Sequence, residues 1–199
     1  IDGINVRTAS DDFIRLPSSS LFTINPQSDK YLIETDVNFT NYRQWLGSDY
    51  LLSALSTDNH HIHKRLGDGF YEQRLVNEQI AQLTGYRRLD GYHNDEEQFK
   101  ALMNNGLTVA QSMNLSIGVA LTAEQVAQLT SDIVWLVSKQ ITLADGSVQT
   151  VLVPQVYVRL KKTDIDGSGA LLSGSVANLN VAGSLNNSGT IAGRTALAI

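Results

Sequence analysis

The sequence contains no cysteine and only three prolines among its 199 residues. The lack of cysteine excludes disulfide bridges, thiolate zinc sites and cysteine nucleophiles. Charged residues make up 18% of the chain, below the roughly 25% that is usual for soluble domains. No apolar run approaches the about 18 residues that a membrane-spanning helix needs, so we predict no membrane span.

Positive charge is also scarce. Fifteen Lys and Arg residues stand against twenty Asp and Glu, which gives a net charge of -5. A nucleic-acid interface needs clustered cations to displace counterions from phosphates, and a polybasic membrane-surface module needs them as well. We therefore expect no nucleic-acid partner and no binding to membrane surfaces. Since the sequence starts with Ile1 and shows no leader, we also expect a piece of a longer protein.

A change in composition near residue 167 divides the chain. From there to the end the only charged residue is Arg194, and short apolar stretches are separated by Gly, Ser and Asn. Ser173-Gly174 and Ala192-Gly193 stand 19 residues apart, and each opens a strand-like run. A period near 20 with small turn residues is typical of a parallel β-solenoid, and a disordered Gly/Ser/Asn tail is the alternative.

Before this change, three stretches carry apolar residues at helical spacing. The first runs from about residue 40 to 55. In the second, Asp68 is placed to cap a helix that reaches Thr84 and ends at Gly85. Asp95 is placed to cap the third.

A capping box at Thr122 and Gln125 predicts the start of a fourth helix, whose apolar stripe extends to Val137. The spacing then changes to two. Apolar strands on both sides of residues 144–147 predict a β-hairpin, and Pro154 is expected to interrupt its second strand.

Together these patterns predict an α+β fold, with a helical body and a β-hairpin neck that leads into the first rungs of a parallel β-solenoid. We expect four segments along the chain. They are an extended N-terminal segment at 1–39, the helical body at 40–139, the hairpin and neck at 140–166, and the start of the solenoid repeats at 167–199.

Five long runs of the sequence resemble a known family. The runs are YLIETD at 31–36, NYRQWLGSDYLLSAL at 41–55, KRLGDGFYEQRLVNEQIAQLTG at 64–85, VALTAEQVAQLTSDIVWLV at 119–137 and VLVPQVYVR at 151–159. They resemble an internal region of the filamentous-hemagglutinin exoproteins of two-partner secretion, in particular CdiA-type effectors of contact-dependent growth inhibition. The tail GSLNNSGTIAGR at 183–194 resembles the opening of their hemagglutinin repeats.

The resemblance implies a segment from the middle of a very long, secreted β-helical protein on the outer surface of a Gram-negative bacterium. It implies neighbouring solenoid repeats of the same polypeptide and an outer-membrane transporter as partners. It also implies toxic activity in a variable C-terminal domain that this chain does not resemble. The family motif supplies no catalytic residue to carry over.

Two clusters contain residue types that bind metals. The run His60-His61-Ile62-His63 places imidazoles at alternate positions, but a solvated loop is the favoured interpretation. Asp164, Asp166 and Ser168 occupy the first, third and fifth positions of a calcium-type loop, in which Ser175 stands where a bidentate Glu is needed. We therefore predict no cofactor and no metal, with calcium at these three residues as the alternative.

Candidate catalytic carboxylates are Asp68 with Glu72, one helical turn apart, and Glu34 with Asp36. The first pair equally suits a helix cap and surface ion pairs. No nucleophile-elbow or zinc-protease motif is present. The sequence therefore predicts that the chain is not an enzyme.

The residues that we predict to contact a partner lie in a loop. They are Tyr86, Arg87, Arg88 and Tyr92. We predict a non-catalytic structural adapter that caps the solenoid. The alternatives are recognition of a target-cell surface component and, least favoured, a cell-envelope hydrolase.

Overall fold

The computed structural model describes residues 5–40, 43–55, 63–160, 171–178 and 190–198. The strands are β1 (Asn5–Thr8), β2 (Phe22–Ile24), β3 (Tyr31–Thr35), β4 (Arg65–Gly67), β5 (Ile133–Thr142), β6 (Val148–Leu160), β7 (Leu171–Asn178) and β8 (Thr190–Ala198). The helices are α1 (Val37–Thr40), α2 (Asp49–Ala54), α3 (Gly69–Thr84), α4 (Asp95–Met113) and α5 (Ala123–Ala127). No helix in the described ranges is long and apolar enough to cross a membrane.

Six strands form one mixed sheet, in the order β1-β6-β4-β3-β2 with β5 paired to β6. The β5–β6 hairpin is antiparallel over ten residue pairs, from Ile133↔Tyr157 to Thr142↔Val148. Strand β4 runs parallel to both β3 and β6, whereas β1 and β2 are antiparallel to their neighbours. The predicted hairpin is confirmed, but it forms one side of this sheet rather than a neck. The predicted helical body is therefore wrong, because the body is a mixed α/β fold.

Pro154 lies inside β6 and does not interrupt it. On one edge of β6, β4 pairs at Leu152 and β1 pairs from Tyr157 onward, which leaves a gap between them. Pro154 has no N–H to donate, and it sits where no strand needs one. Gln79 of α3 fills the gap, since its Nε2 donates to the Pro154 carbonyl at 2.8 Å and its Oε1 accepts the Val156 N–H at 2.9 Å.

Helix α3 begins and ends where the sequence predicts, and helix α4 begins close to its predicted start. Asp68 caps α3 by accepting the Tyr71 N–H at 3.0 Å, and Gly85 ends the helix in the left-handed conformation with φ 78°. Helix α4 is capped by Asn94, one residue before the predicted Asp95. A helix cap uses residues within one turn of the helix end, so its position does not depend on how the rest of the chain packs.

Two other predicted helices are wrong in extent. Within the described residues 43–55, only α2 is helical. The capping box of Thr122 and Gln125 is confirmed, but α5 ends at Ala127 and the apolar run that follows is β5. All five residues of 133–137 are apolar and buried, so the run fits either periodicity, and burial within the sheet selects the strand.

Gly106 lets α4 lie directly against β5, because a Cβ at this position would clash with the Val134 carbonyl oxygen. We expect Gly106→Ala to lower the free energy of unfolding by about 1–3 kcal/mol, as overpacking does. The expected loss is opposite in sign to the intrinsic helix propensity, which favours Ala over Gly by about 1 kcal/mol. Thr108→Ala, at an exposed position of the same helix, is the control. Urea denaturation compares the two, and a stabilised Gly106→Ala variant would contradict the close approach.

Strands β7 and β8 form a separate parallel pair. Ser173 pairs with Ala192 and Gly174 with Gly193, so the 19-residue spacing noted in the sequence is the offset between the strands. Parallel neighbours require a crossover connection rather than a tight hairpin. The continuation of this pair into a β-solenoid stays a prediction, as does the division of the chain into four segments.

Candidate functional site

The carboxylate of Asp68 holds the sheet and α3 together. Its Oδ2 accepts the Thr35 N–H at 2.7 Å, and its Oδ1 accepts the Thr35 hydroxyl at 2.9 Å in addition to capping α3. Asp68 therefore links the end of β3 to the first turn of α3. The carboxylates of the second candidate pair have separate partners. Glu34 accepts a hydrogen bond from the Asn25 side-chain amide, and Asp36 accepts one from the Asn38 N–H.

Glu72 is buried, with 1% of its surface exposed. Its Oε2 accepts the Ser48 N–H at 2.6 Å, and its Oε1 accepts the Ser48 hydroxyl at 2.5 Å. Burial raises the pKa of the Glu72 carboxyl to about 7, against the opposing effects of the Ser48 hydrogen bonds and the Arg65 charge. A pKa near neutrality suits proton transfer, but both oxygens are engaged and covered. In this arrangement Glu72 anchors the start of α2.

A cluster of three residues beside Glu72 was missed by the sequence analysis. Arg65, which is 5% exposed, forms an ion pair with Asp49, and the Tyr31 hydroxyl donates to the other Asp49 oxygen at 3.0 Å. The guanidinium of Arg65 lies 4.9 Å from the centroid of the Tyr31 ring. Burial, followed by the charge of Asp49, raises the pKa of Tyr31. The residues come from three different elements, so no local spacing could reveal the cluster.

The four predicted partner-contact residues lie between α3 and α4, in a loop as expected. Arg87 and Arg88 both pair with Asp95, at 2.7 and 2.9 Å. The side chain of Tyr86 is 56% exposed. Tyr92 is partly buried, and this burial raises its pKa. The structure thus brings the two arginines together and leaves the two tyrosines outside that ion-pair network.

Arg87 and Asp95 also line a cleft of about 430 Å³, which we call the aromatic cleft. Trp45 and Phe70 form its aromatic wall, with ring centroids 5.0 Å apart and an interplanar angle of 78°. Such edge-to-face geometry is the favoured packing of two aromatic rings. A concave apolar site with a few polar groups can hold a ligand, so the aromatic cleft is the candidate binding site.

The predicted metal clusters are mostly beyond the described part of the chain. Among the described residues, no group of three or more His, Cys, Asp or Glu side chains could hold a metal ion. His63 is described, whereas His60, His61 and Ile62 are not. The calcium candidates Asp164, Asp166 and Ser168 also lie outside the described residues, so calcium stays an untested alternative.

No protein-family model and no solved structure matches the chain. Among curated proteins, it is 39% identical to Toxin CdiA of Yersinia pestis over 85% of its length. It is 35% identical to tRNA nuclease CdiA-2 of Burkholderia pseudomallei over 94% of its length, and 36% identical to deoxyribonuclease CdiA of Dickeya dadantii over 84%. The chain spans only 5–6% of the length of these three relatives.

The names of the relatives overturn three predictions. Relatives are named as nucleases of tRNA and DNA, and one from Enterobacter cloacae is named 16S rRNA endonuclease CdiA. The predictions of a non-catalytic structural module, of a protein that is not an enzyme and of no nucleic-acid partner are therefore wrong. The reason is that motif and charge patterns report only on the residues of this chain, which is a small fraction of such proteins.

The family resemblance, by contrast, is confirmed. Identities of 34–39% extend over 73–94% of the chain in eight relatives, and every one of them is named CdiA. The chain belongs to the CdiA toxins of contact-dependent growth inhibition.

Proposed function

We propose that this chain is part of a toxin that degrades nucleic acid in a target bacterium. The observation that carries the proposal is the set of names of its relatives, which include nucleases of tRNA, of 16S rRNA and of DNA. Cleavage of phosphodiester bonds is the reaction that these names share. Which nucleic acid the whole protein cleaves differs between relatives and is left to experiment.

The contribution of this segment is, we propose, to a step that all these toxins share. The chain is 34–36% identical to relatives whose named targets differ. A segment that chose the target would be expected to diverge with it. In this chain the partly buried carboxylate of Asp68 and the buried carboxylate of Glu72 are occupied by hydrogen bonds to Thr35 and Ser48. These contacts favour a role that is independent of the choice between tRNA, rRNA and DNA.

The nuclease proposal is tested in co-culture. Bacteria that produce the full-length protein are mixed with susceptible cells, and producers that lack the protein are the control. We expect susceptible cells to lose viability while one class of their nucleic acid is cleaved, as seen on gels of total RNA and genomic DNA. Killing that leaves tRNA, rRNA and DNA intact would refute the proposal.

We also propose that the protein is secreted to the outer surface of a Gram-negative bacterium, and that β7 and β8 begin a parallel β-solenoid. The β-solenoid is supported by the 19-residue offset of this parallel pair and by the low charge of the sequence around it. Protease added to intact producer cells should cleave the full-length protein without cell lysis. Full protection of the protein under these conditions would contradict surface display.

A further inference from the structure

Two buried polar atoms at the aromatic cleft have no hydrogen-bond partner among the described residues. They are the indole Nε1 of Trp45 and the side-chain oxygen of Gln73. Gln73 is 4% exposed, and its Nε2 donates to the Leu46 carbonyl at 3.0 Å. This hydrogen bond fixes the orientation of the side-chain amide, and the amide oxygen stays unpaired. Buried polar groups are nearly always paired, so an unpaired buried donor and an unpaired buried acceptor on two residues that line one cleft point to a ligand that supplies both.

The walls of the cleft suit an apolar or aromatic group. Trp45 and Phe70 form the aromatic wall, and the small side chain of Ala81 on α3 also lines the cleft. The guanidinium of Arg43 lies 4.5 Å from the centroid of the Trp45 ring and also pairs with Glu96 at 2.6 Å. The indole is thus held in place before any ligand arrives, which lowers the entropy lost on binding.

The rim of the cleft carries no net charge. Arg74 pairs with Glu78 at 2.7 Å, and Arg87 pairs with Asp95 at 2.7 Å. A nucleic acid would bring phosphates toward these carboxylates and would find both cations already paired. The charges therefore favour a neutral ligand over a nucleotide.

We propose that the aromatic cleft binds an extended segment of neutral polypeptide. A peptide unit offers one acceptor and one donor without net charge. Its carbonyl would accept the Trp45 Nε1–H and its N–H would donate to the Gln73 oxygen, while an aromatic or large aliphatic side chain packs on Trp45 and Phe70. This inference does not depend on the nuclease proposal, because it concerns recognition of a polypeptide by the chain itself.

The chain provides its own internal reference for the test. It contains two tryptophans, and the indole N–H of Trp135 already donates to the Ser116 carbonyl at 3.2 Å. The ¹⁵N-labelled chain is titrated with the tripeptide N-acetyl-Ala-Phe-Ala-amide and, separately, with adenosine monophosphate. We expect a saturable downfield shift of the Trp45 indole proton with the peptide, an unchanged Trp135 signal, and no response to the nucleotide.

Two variants separate binding from folding. Trp45→Phe keeps an aromatic ring and removes the unpaired N–H, so it should weaken peptide binding by about tenfold, as loss of one buried hydrogen bond does, while Tm stays the same or rises. Binding by this variant is followed through the side-chain amide signals of Gln73. Ala81→Leu, which fills the cleft, should abolish binding, and Gln82→Leu, whose side chain does not line the aromatic cleft, is its matched control.

The inference is overturned if the peptide leaves the Trp45 signal unmoved, or if Trp45→Phe binds the peptide as well as the parent chain does. A shift with adenosine monophosphate alone would overturn it in favour of a nucleotide. Equal binding by the Ala81→Leu and Gln82→Leu variants would place the peptide elsewhere on the chain.

Discussion

Glu72→Gln will be more stable than the parent chain at pH 8 and equally stable at pH 4. Burial raises the pKa of Glu72 to about 7 in the folded chain, whereas an unfolded glutamate has a pKa of about 4.3. Below pH 4 the carboxyl is protonated in both the folded and the unfolded chain, so its ionisation does not lower the free energy of unfolding. Between about pH 4 and pH 7 the unfolded chain ionises this carboxyl while the folded chain keeps it protonated, so the free energy of unfolding falls by about 3–4 kcal/mol and then levels off above pH 7.

The variant removes this dependence because an amide has no charge to bury. The oxygen of Gln can accept the Ser48 N–H, and its NH₂ can donate to the Ser48 hydroxyl oxygen, so both hydrogen bonds keep a partner. At pH 8 we expect Tm to rise by roughly 6–12 °C for a chain of this size. Thermal unfolding between pH 4 and pH 8 measures the effect.

The matched control for this measurement is Glu78→Gln, on the same helix. The Glu78 side chain is 44% exposed, and its one ion pair within the described part of the chain is with Arg74 four residues earlier. Such a pair contributes about 0.5 kcal/mol or less, so this variant should follow the pH profile of the parent. Parallel profiles for all three chains would show that Glu72 does not titrate as its burial requires.

The second large effect is expected at Gln79, which is fully buried and bridges the gap along β6. Gln79→Leu leaves the Pro154 carbonyl and the Val156 N–H without partners inside the fold. Each unsatisfied buried group costs about 1–3 kcal/mol, so we expect a loss of about 2–5 kcal/mol in the free energy of unfolding. Urea denaturation monitored by circular dichroism measures this loss.

Gln82→Leu makes the same chemical change at an exposed position three residues later on α3. It should alter the free energy of unfolding by about 0.5 kcal/mol or less. If the two leucine variants unfold at the same urea concentration, the bridge to β6 does not contribute to stability.

Local signals in the sequence predicted the ends of elements well. Asp68, Gly85 and the capping box at Thr122 and Gln125 are where the structure has them, because a cap depends on residues within one helical turn. The hairpin around residues 144–147 was also predictable, because its turn and its two strands are adjacent in sequence. None of these signals contains the order of the strands, which depends on pairing between distant parts of the chain.

The central sheet was missed because its strands look ambiguous in isolation. The buried run at 133–137 fits helical spacing as well as extended spacing. Pro154 is normally evidence against an inner strand, and only the side chain of Gln79 makes its position acceptable. That side chain comes from a helix more than seventy residues away in sequence. The sequence therefore could not indicate that Gln79 supplies the hydrogen bonds beside Pro154.

The candidate site was partly predictable. Arg87 was identified as a loop residue and lies on the aromatic cleft. Trp45 and Gln73 were not, since their role depends on which of their polar atoms is left unpaired, and only the fold decides that. The activity was mispredicted for a different reason, because the nuclease function named for the relatives belongs to proteins of whose length this chain spans only 5–6%.

The shared role of the segment is tested most directly by transplanting residues 1–199 into two relatives with different named targets. The recipients are tRNA nuclease CdiA-2 of Burkholderia pseudomallei and deoxyribonuclease CdiA of Dickeya dadantii, each at its matching region. Growth inhibition and the nucleic acid degraded in susceptible cells are measured for both chimeras. We expect both to inhibit growth, one with cleaved tRNA and the other with cleaved DNA. Cleavage of the same class of nucleic acid by both chimeras would show that this segment chooses the target, and would contradict the proposed role.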